Sequence, residues 1–124
     1  MPRGSRDLAL TLVLRWNLYL EGIGADRGER PPRHEVEAAK VWPRFHARPA
    51  HVFNTSRDSY ALKHLAERGS DEHGLTEAYF SNGAFIRAAL ELGYGARRAP
   101  GANAYFKMEG EASGRRGNDQ PEGL

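Results

Sequence analysis

The chain has 124 residues, 18 Lys and Arg against 16 Asp and Glu, a formal charge of +2 and no cysteine. That length holds one domain with one core. The absence of cysteine excludes a disulfide framework and a thiolate metal site, and the near balance of charge permits a nucleic-acid partner without demanding one.

Only Lys40, Lys63 and Lys107 are lysines, so the basic side is mostly arginine. A GC-rich coding sequence explains that usage, and arginine also suits bidentate phosphate contacts. The five histidines (His34, His46, His51, His64, His73) match no metal-ligand spacing, so neither metal nor cofactor is expected.

The apolar run 8–14 follows Arg3 and Arg6, as in a secretory signal. However, Asp7 opens it, Arg15 cuts it and no small-x-small cleavage site follows closely. The run is too short to span a bilayer, and the expected setting is the cytoplasm. Over 8–20, Leu8, Leu10, Leu12, Leu14, Trp16, Leu18 and Leu20 alternate with Ala9, Thr11, Val13, Arg15, Asn17 and Tyr19. Strict alternation predicts a half-buried strand or bent strand pair, with a helix as the alternative because leucine favours helices. An edge strand of this kind invites pairing, so a homodimer through 8–20 is expected. Residues 22–32, rich in Gly, Pro and charge, read as a linker.

A helix is predicted over Arg33–Trp42, stopped by Pro43, with Val36 and Ala39 inward. His51–Phe53 reads as a short strand. Thr55 or Ser56 then caps a helix that runs to Arg68 and ends at Gly69, with Asp58 in the first turn. Its inward face is Ala61, Leu62, Leu65 and Ala66, and its outward face is Ser59, Tyr60, Lys63, His64 and Glu67. Residues 70–74 form a polar loop, and 75–80 is open between a short helix and an extended entry. Ser81-Asn82 is a strong cap for an amphipathic helix over Gly83–Leu92, with Phe85, Ile86, Ala89, Leu90 and Leu92 on one face and Gly83, Ala84, Arg87 and Glu91 opposite. Gly93 supplies a left-handed stop, and Tyr94 folds back on the last turn. Residues 94–99 and 103–108 read as a hairpin around Pro100-Gly101. The polar segment 109–124 cannot bury a core and is expected to be disordered.

The order helix, short strand, helix, helix, hairpin over 33–108 resembles a winged helix-turn-helix, an α+β fold. The chain thus divides into an N-terminal piece (1–32), a winged-helix-like domain (33–108) and a tail (109–124). A second resemblance rests on Phe53-Asn54-Thr55, Ser59-Tyr60, Leu62-Lys63-His64, Glu67, Tyr79, Ser81–Ile86, Ala88-Ala89, Gly93-Tyr94 and Asn103–Phe106. This string is similar to small uncharacterised proteins of phages and mobile elements, a group that implies a setting but no chemistry.

The winged-helix resemblance implies that the start of the 81–92 helix enters a DNA groove. There Ser81 and Asn82 are hydrogen-bonding groups, Gly83 lets a backbone approach, free backbone N–H groups attract phosphate and Arg87 follows one turn on. Arg97, Arg98 and Lys107 on the wing, and Arg57 and Lys63 on the preceding helix, complete the nucleic-acid-binding set. Capping alone also explains Ser81 and Asn82. Residues 51–92 carry four Lys and Arg against six Asp and Glu, which argues against strong non-specific binding. The alternative is a phage-type protein that inhibits or adapts a host protein, with Trp16, Tyr19, Trp42 and Tyr60 as anchors. For an enzyme the residues offer only a weak His64–Glu67 pair at i,i+3, without phosphate loop, nucleophile elbow or ligand set, so no activity is expected.

Overall fold

The computed structural model describes residues 16–24, 29–70 and 79–110. The first two strands, β1 (Leu18–Tyr19) and β2 (Gly22–Ile23), pair antiparallel. Then follow α1 (Arg33–Ala39), α2 (Val41–His46), β3 (Ala47–Pro49), α3 (Ser59–Ser70), α4 (Asn82–Glu91), β4 (Ala96–Arg98), β5 (Ala104–Phe106) and β6 (Met108–Gly110). β4 pairs with β5 and β3 with β6, both antiparallel. The fold is mixed α+β with small antiparallel sheets. No helix among the described residues is long and apolar enough to cross a membrane.

α4 is the centre. Asn82, Gly83, Ala84, Phe85, Ile86, Ala88, Ala89 and Leu90 are all buried, because α1, α3 and the β1–β2 hairpin cover it on different sides. The amphipathic pattern therefore identified the helix correctly but understated its burial. The positions read as its outward face include Gly83 and Ala84, which face other parts of this chain. Ser81 caps the helix as expected, its hydroxyl accepting from the Ala84 N–H at 3.1 Å. Gly93 takes φ +97°, and the Tyr94 N–H returns to the Ala89 carbonyl, which closes the C-terminus as the sequence predicts.

Several boundaries differ from the sequence reading. Pro43 does not end the first helix at Trp42. The break comes at Lys40, since Pro43 has no N–H for the Ala39 carbonyl, and Pro43 is instead the third residue of α2. The strand expected at His51–Phe53 lies at Ala47–Pro49, directly after α2. Val52 lies beyond the β3–β6 pairing and is 71% exposed. Asp58, rather than Thr55 or Ser56, caps α3 by accepting from the Ala61 N–H, and α3 continues past Gly69 to Ser70. Ser59 and Lys63 on its expected outward face are buried. Gly22-Ile23 belongs to a strand rather than a linker, and Glu109-Gly110 belongs to β6 rather than the tail. Leu18 and Ile23 lie in the same core as Phe80, Phe85 and Phe106, so the described part of 1–32 and residues 33–110 share one core. Leu18 is thus turned inward; residues 8–15 of the expected pairing strand, 25–28 of the linker, 71–74 of the polar loop, 75–78 and 111–124 lie outside the described residues.

One cluster of charge ties α1 to the end of α4. Glu91 receives the Arg33 guanidinium (Nη1–Oε2 3.0 Å), Lys40 Nζ at 2.8 Å and Arg87 Nε at 2.8 Å. The Arg33 hydrogen bond, followed by those from Arg87 and Lys40, holds the Glu91 carboxyl well below the usual carboxylate range against the opposing effect of burial. A depressed folded-state pKa contributes stability above the unfolded value near about 4.3, and that contribution is lost as pH falls towards the folded value. Glu91→Gln is therefore expected to lower stability by about 1–2 kcal/mol at neutral pH. Denaturant midpoints of the two proteins should converge as the pH is lowered below about 4. A constant gap across that range would show that the Glu91 charge is not responsible.

Candidate nucleic-acid interface

The β4–β5 hairpin is built by alternation. Ala104 and Phe106 are buried against the core, as is Met108 at the start of β6. That parity turns Tyr105 and Lys107 outward. The register places Arg97 directly across from Tyr105. The turn at Pro100–Asn103 is closed by the Ala99 N–H to Asn103 carbonyl bond and by Gly101 at φ +74°.

Phe53 packs onto this face because the chain leaving β3 runs beside β5, with the Asn54 N–H donating to the Phe106 carbonyl. The Arg97 guanidinium lies 4.8 Å from the Phe53 ring centroid and 5.7 Å from that of Tyr105, and Lys107 Nζ lies 5.0 Å from Phe53. Arg98 is exposed and donates to the Gly101 carbonyl at 3.3 Å. Among the described residues, none of these three cations is ion-paired to a carboxylate, whereas Arg33, Lys40, Lys63 and Arg87 all are. The uncompensated charge of the hairpin is thus interleaved with aromatic rings, an arrangement that suits phosphates flanking a stacked base.

The rest of the sequence-predicted set falls elsewhere. Arg57 is exposed in the turn before α3. Arg87 lies in the Glu91 cluster, so its charge is already used. Lys63 is 5% exposed and bound to Glu67 at 2.8 Å.

Ser81, Asn82 and Gly83 are buried, so the expected groove contact at the start of α4 is not available. Its donors are also spent. The Ser81 N–H goes to Glu35 Oε1, the Gly83 N–H to the Leu20 carbonyl, the Ala84 N–H to Ser81 and the Asn82 amide to the Glu21 carbonyl and Asn103. A helix N-terminus attracts phosphate only through unfilled N–H groups; here Glu35 fills that of Ser81, the β1–β2 turn that of Gly83 and the Ser81 hydroxyl that of Ala84, while the Asn82 side-chain amide is spent on Glu21 and Asn103.

The anchors expected for a protein partner are likewise committed to this fold. Trp42 is fully buried, Trp16 packs on the core and Tyr19 lies under Arg30; Tyr60 remains exposed. Phe53 and Tyr105 were missed as site residues. Tyr105 was legible, since a hairpin turning at Pro100-Gly101 sets it opposite Arg97. Phe53 was not, because reading 51–53 as a strand hid the turn that carries it. Among the described residues no group of His, Asp and Glu could hold a metal ion. Comparison with known proteins finds no match to any family model, curated protein or solved structure.

Proposed function

We propose that the protein is a nucleic-acid-binding regulator or accessory factor of a phage or mobile element, acting in the cytoplasm. In this reading the fold is a winged-helix variant in which the β4–β5 wing, rather than the start of α4, carries the contact. The supporting observation is that, among the described residues, Arg97, Arg98 and Lys107 on one hairpin carry no ion pair, with Arg97 beside Phe53 and Tyr105 and Lys107 beside Phe53. Rings beside cations favour an unpaired strand over a duplex, because an exposed base can stack where a paired one cannot.

With about three phosphates neutralised, log affinity should fall with log salt at a slope of about −2. Fluorescence anisotropy of a labelled single strand across a salt series measures this. The Arg97→Ala, Arg98→Ala, Lys107→Ala triple variant is expected to bind at least about tenfold more weakly and to flatten the slope. Arg87→Ala should bind like the parent. Equal binding by the triple variant and the parent, or no binding at low salt, would remove the reading.

A protein partner is the second reading. Val52 is 71% and Phe45 65% exposed, two large apolar side chains that a partner surface would cover. Loss of a co-purified partner from Val52→Asp, with nucleic-acid binding absent in both proteins, would favour it.

A further inference from the structure

The residues of the Ser59–Glu67, Tyr79–Asn82 and Asn103 string are not absorbed by the hairpin face, yet most of them meet in one place. They line an open cleft of about 760 Å³ between α3, the start of α4 and the β4–β5 turn. That volume is in the range of small-ligand sites.

Its rim is aromatic. Tyr60 is 53% and Tyr79 67% exposed, and their ring centroids lie 5.5 and 5.1 Å from Lys63 Nζ. His64 stands edge-on to Tyr60, at 4.6 Å between centroids. Deeper in, Glu67 is fully engaged. One oxygen takes Lys63 Nζ at 2.8 Å and the Phe80 N–H at 3.2 Å, and the other lies 3.3 Å from His64 Nδ1. Burying a lysine–glutamate pair gains little stability over an apolar pair. The pair sets Lys63 against both rings and Glu67 beside His64.

The floor is made of side-chain amides. Asn82 Nδ2 donates to Asn103 Oδ1 at 2.9 Å and to the Glu21 carbonyl at 3.0 Å. Asn82 is 6% exposed and its Oδ1 has no hydrogen-bond partner. An unmet buried acceptor costs about 1–3 kcal/mol, a cost that a ligand donor would relieve once the enclosed Asn82 side chain turns towards the cleft. Aromatic walls over an amide floor match the flat face and polar edge of a nucleobase.

The cleft also adjoins the proposed interface. Ala102 and Asn103 belong to the hairpin turn, whose Gly101 carbonyl receives Arg98. A strand lying along the hairpin therefore arrives at the cleft. We propose that the cleft receives one unstacked nucleobase from the strand held by the hairpin, stacked against Tyr60 and Tyr79 with its polar edge towards Asn82 and Asn103. The proposal rests on the nucleic-acid reading for the strand but not for the cleft itself.

The test uses the full chain and two probes. Nucleoside monophosphates are titrated to about 10 mM, with the His64 ring and Asn82 amide signals followed by NMR, and ribose 5-phosphate serves as a base-free control. Separately, single strands carrying 2-aminopurine report unstacking and capture. The expected result is a shift of both signals by nucleotides and not by ribose 5-phosphate. Tyr60→Ala and Tyr79→Ala, at exposed positions that the fold does not need, should each weaken binding about tenfold. Equal shifts from ribose 5-phosphate would make the cleft an anion site and overturn the base proposal. No shift from any nucleotide overturns it as well. If strands bind through Arg97, Arg98 and Lys107 while the tyrosine variants change nothing, the cleft proposal alone falls. If nucleotides shift the cleft signals but the hairpin variant does not alter strand binding, the cleft proposal stands and the hairpin reading falls.

Discussion

Gly83→Ala is expected to destabilise the protein by about 3–6 kcal/mol, the reverse of the usual gain of about 1 kcal/mol from alanine in a helix. A Cβ at position 83 would lie 1.7 Å from the Tyr19 carbonyl oxygen and 2.8 Å from its carbon. Both are backbone atoms, so no rotamer change can make room. The β1–β2 hairpin has to lift away. It takes with it the burial of Leu18 and Ile23 and the bonds from the Gly83 N–H to Leu20 and from the Asn82 amide to Glu21. Losing two buried aliphatic side chains at about 1.5–3 kcal/mol each gives the quoted range. Set against about 5–15 kcal/mol for a whole domain, the variant sits at the edge of folding. Urea denaturation is the measurement. A lower midpoint with a reduced m value is expected, because the native state of the variant already exposes the surface beneath the hairpin. A variant as stable as the parent would mean that the hairpin is not seated on α4.

Phe85→Ala carries the second large effect, a loss of about 3–5 kcal/mol. Phe85 is fully buried, 6.4 Å from the Phe80 ring and 6.0 Å, edge to face, from that of Phe106. One ring on α4 thus joins the segment entering that helix to β5. Its removal leaves a cavity at the junction of three segments that the backbone cannot close by a local shift. Thermal unfolding should show a fall of several degrees per kcal/mol lost. The exposed Tyr60→Ala, changed in the same background, should stay within about 0.5 kcal/mol. A drop at Phe85 no larger than that at Tyr60 would contradict a core centred on α4.

The hairpin and its cations were legible from local chemistry alone. Pro100-Gly101 fixes the turn, and alternation then sets Arg97, Tyr105 and Lys107 outward, with Arg98 exposed beside the turn on the other parity. The caps at Ser81 and Gly93 were legible for the same reason, since a cap is satisfied within one helical turn. Lys63 and Asn82 were misread because their polarity was taken for exposure. Each is buried with a partner distant in sequence or on the neighbouring turn, and composition carries no trace of that.

The sequence by itself determined the α+β class, the helix over Asn82–Glu91 with both its ends, the hairpin after it and the absence of thiol chemistry. These depend on interactions within a few residues or on composition. The tertiary structure alone decided which surface is left to act. Leu18–Ile23 seats itself over the start of α4 through backbone carbonyls, which every sequence possesses, and so takes the Gly83 N–H and the Asn82 side-chain amide, while Glu35 from α1 takes the Ser81 N–H. The same packing gathers Tyr60, Lys63, His64, Tyr79, Asn82 and Asn103 into one cleft from three separate stretches of chain. Contacts of that range depend on how elements dock, and docking is set by the whole core rather than by any local pattern.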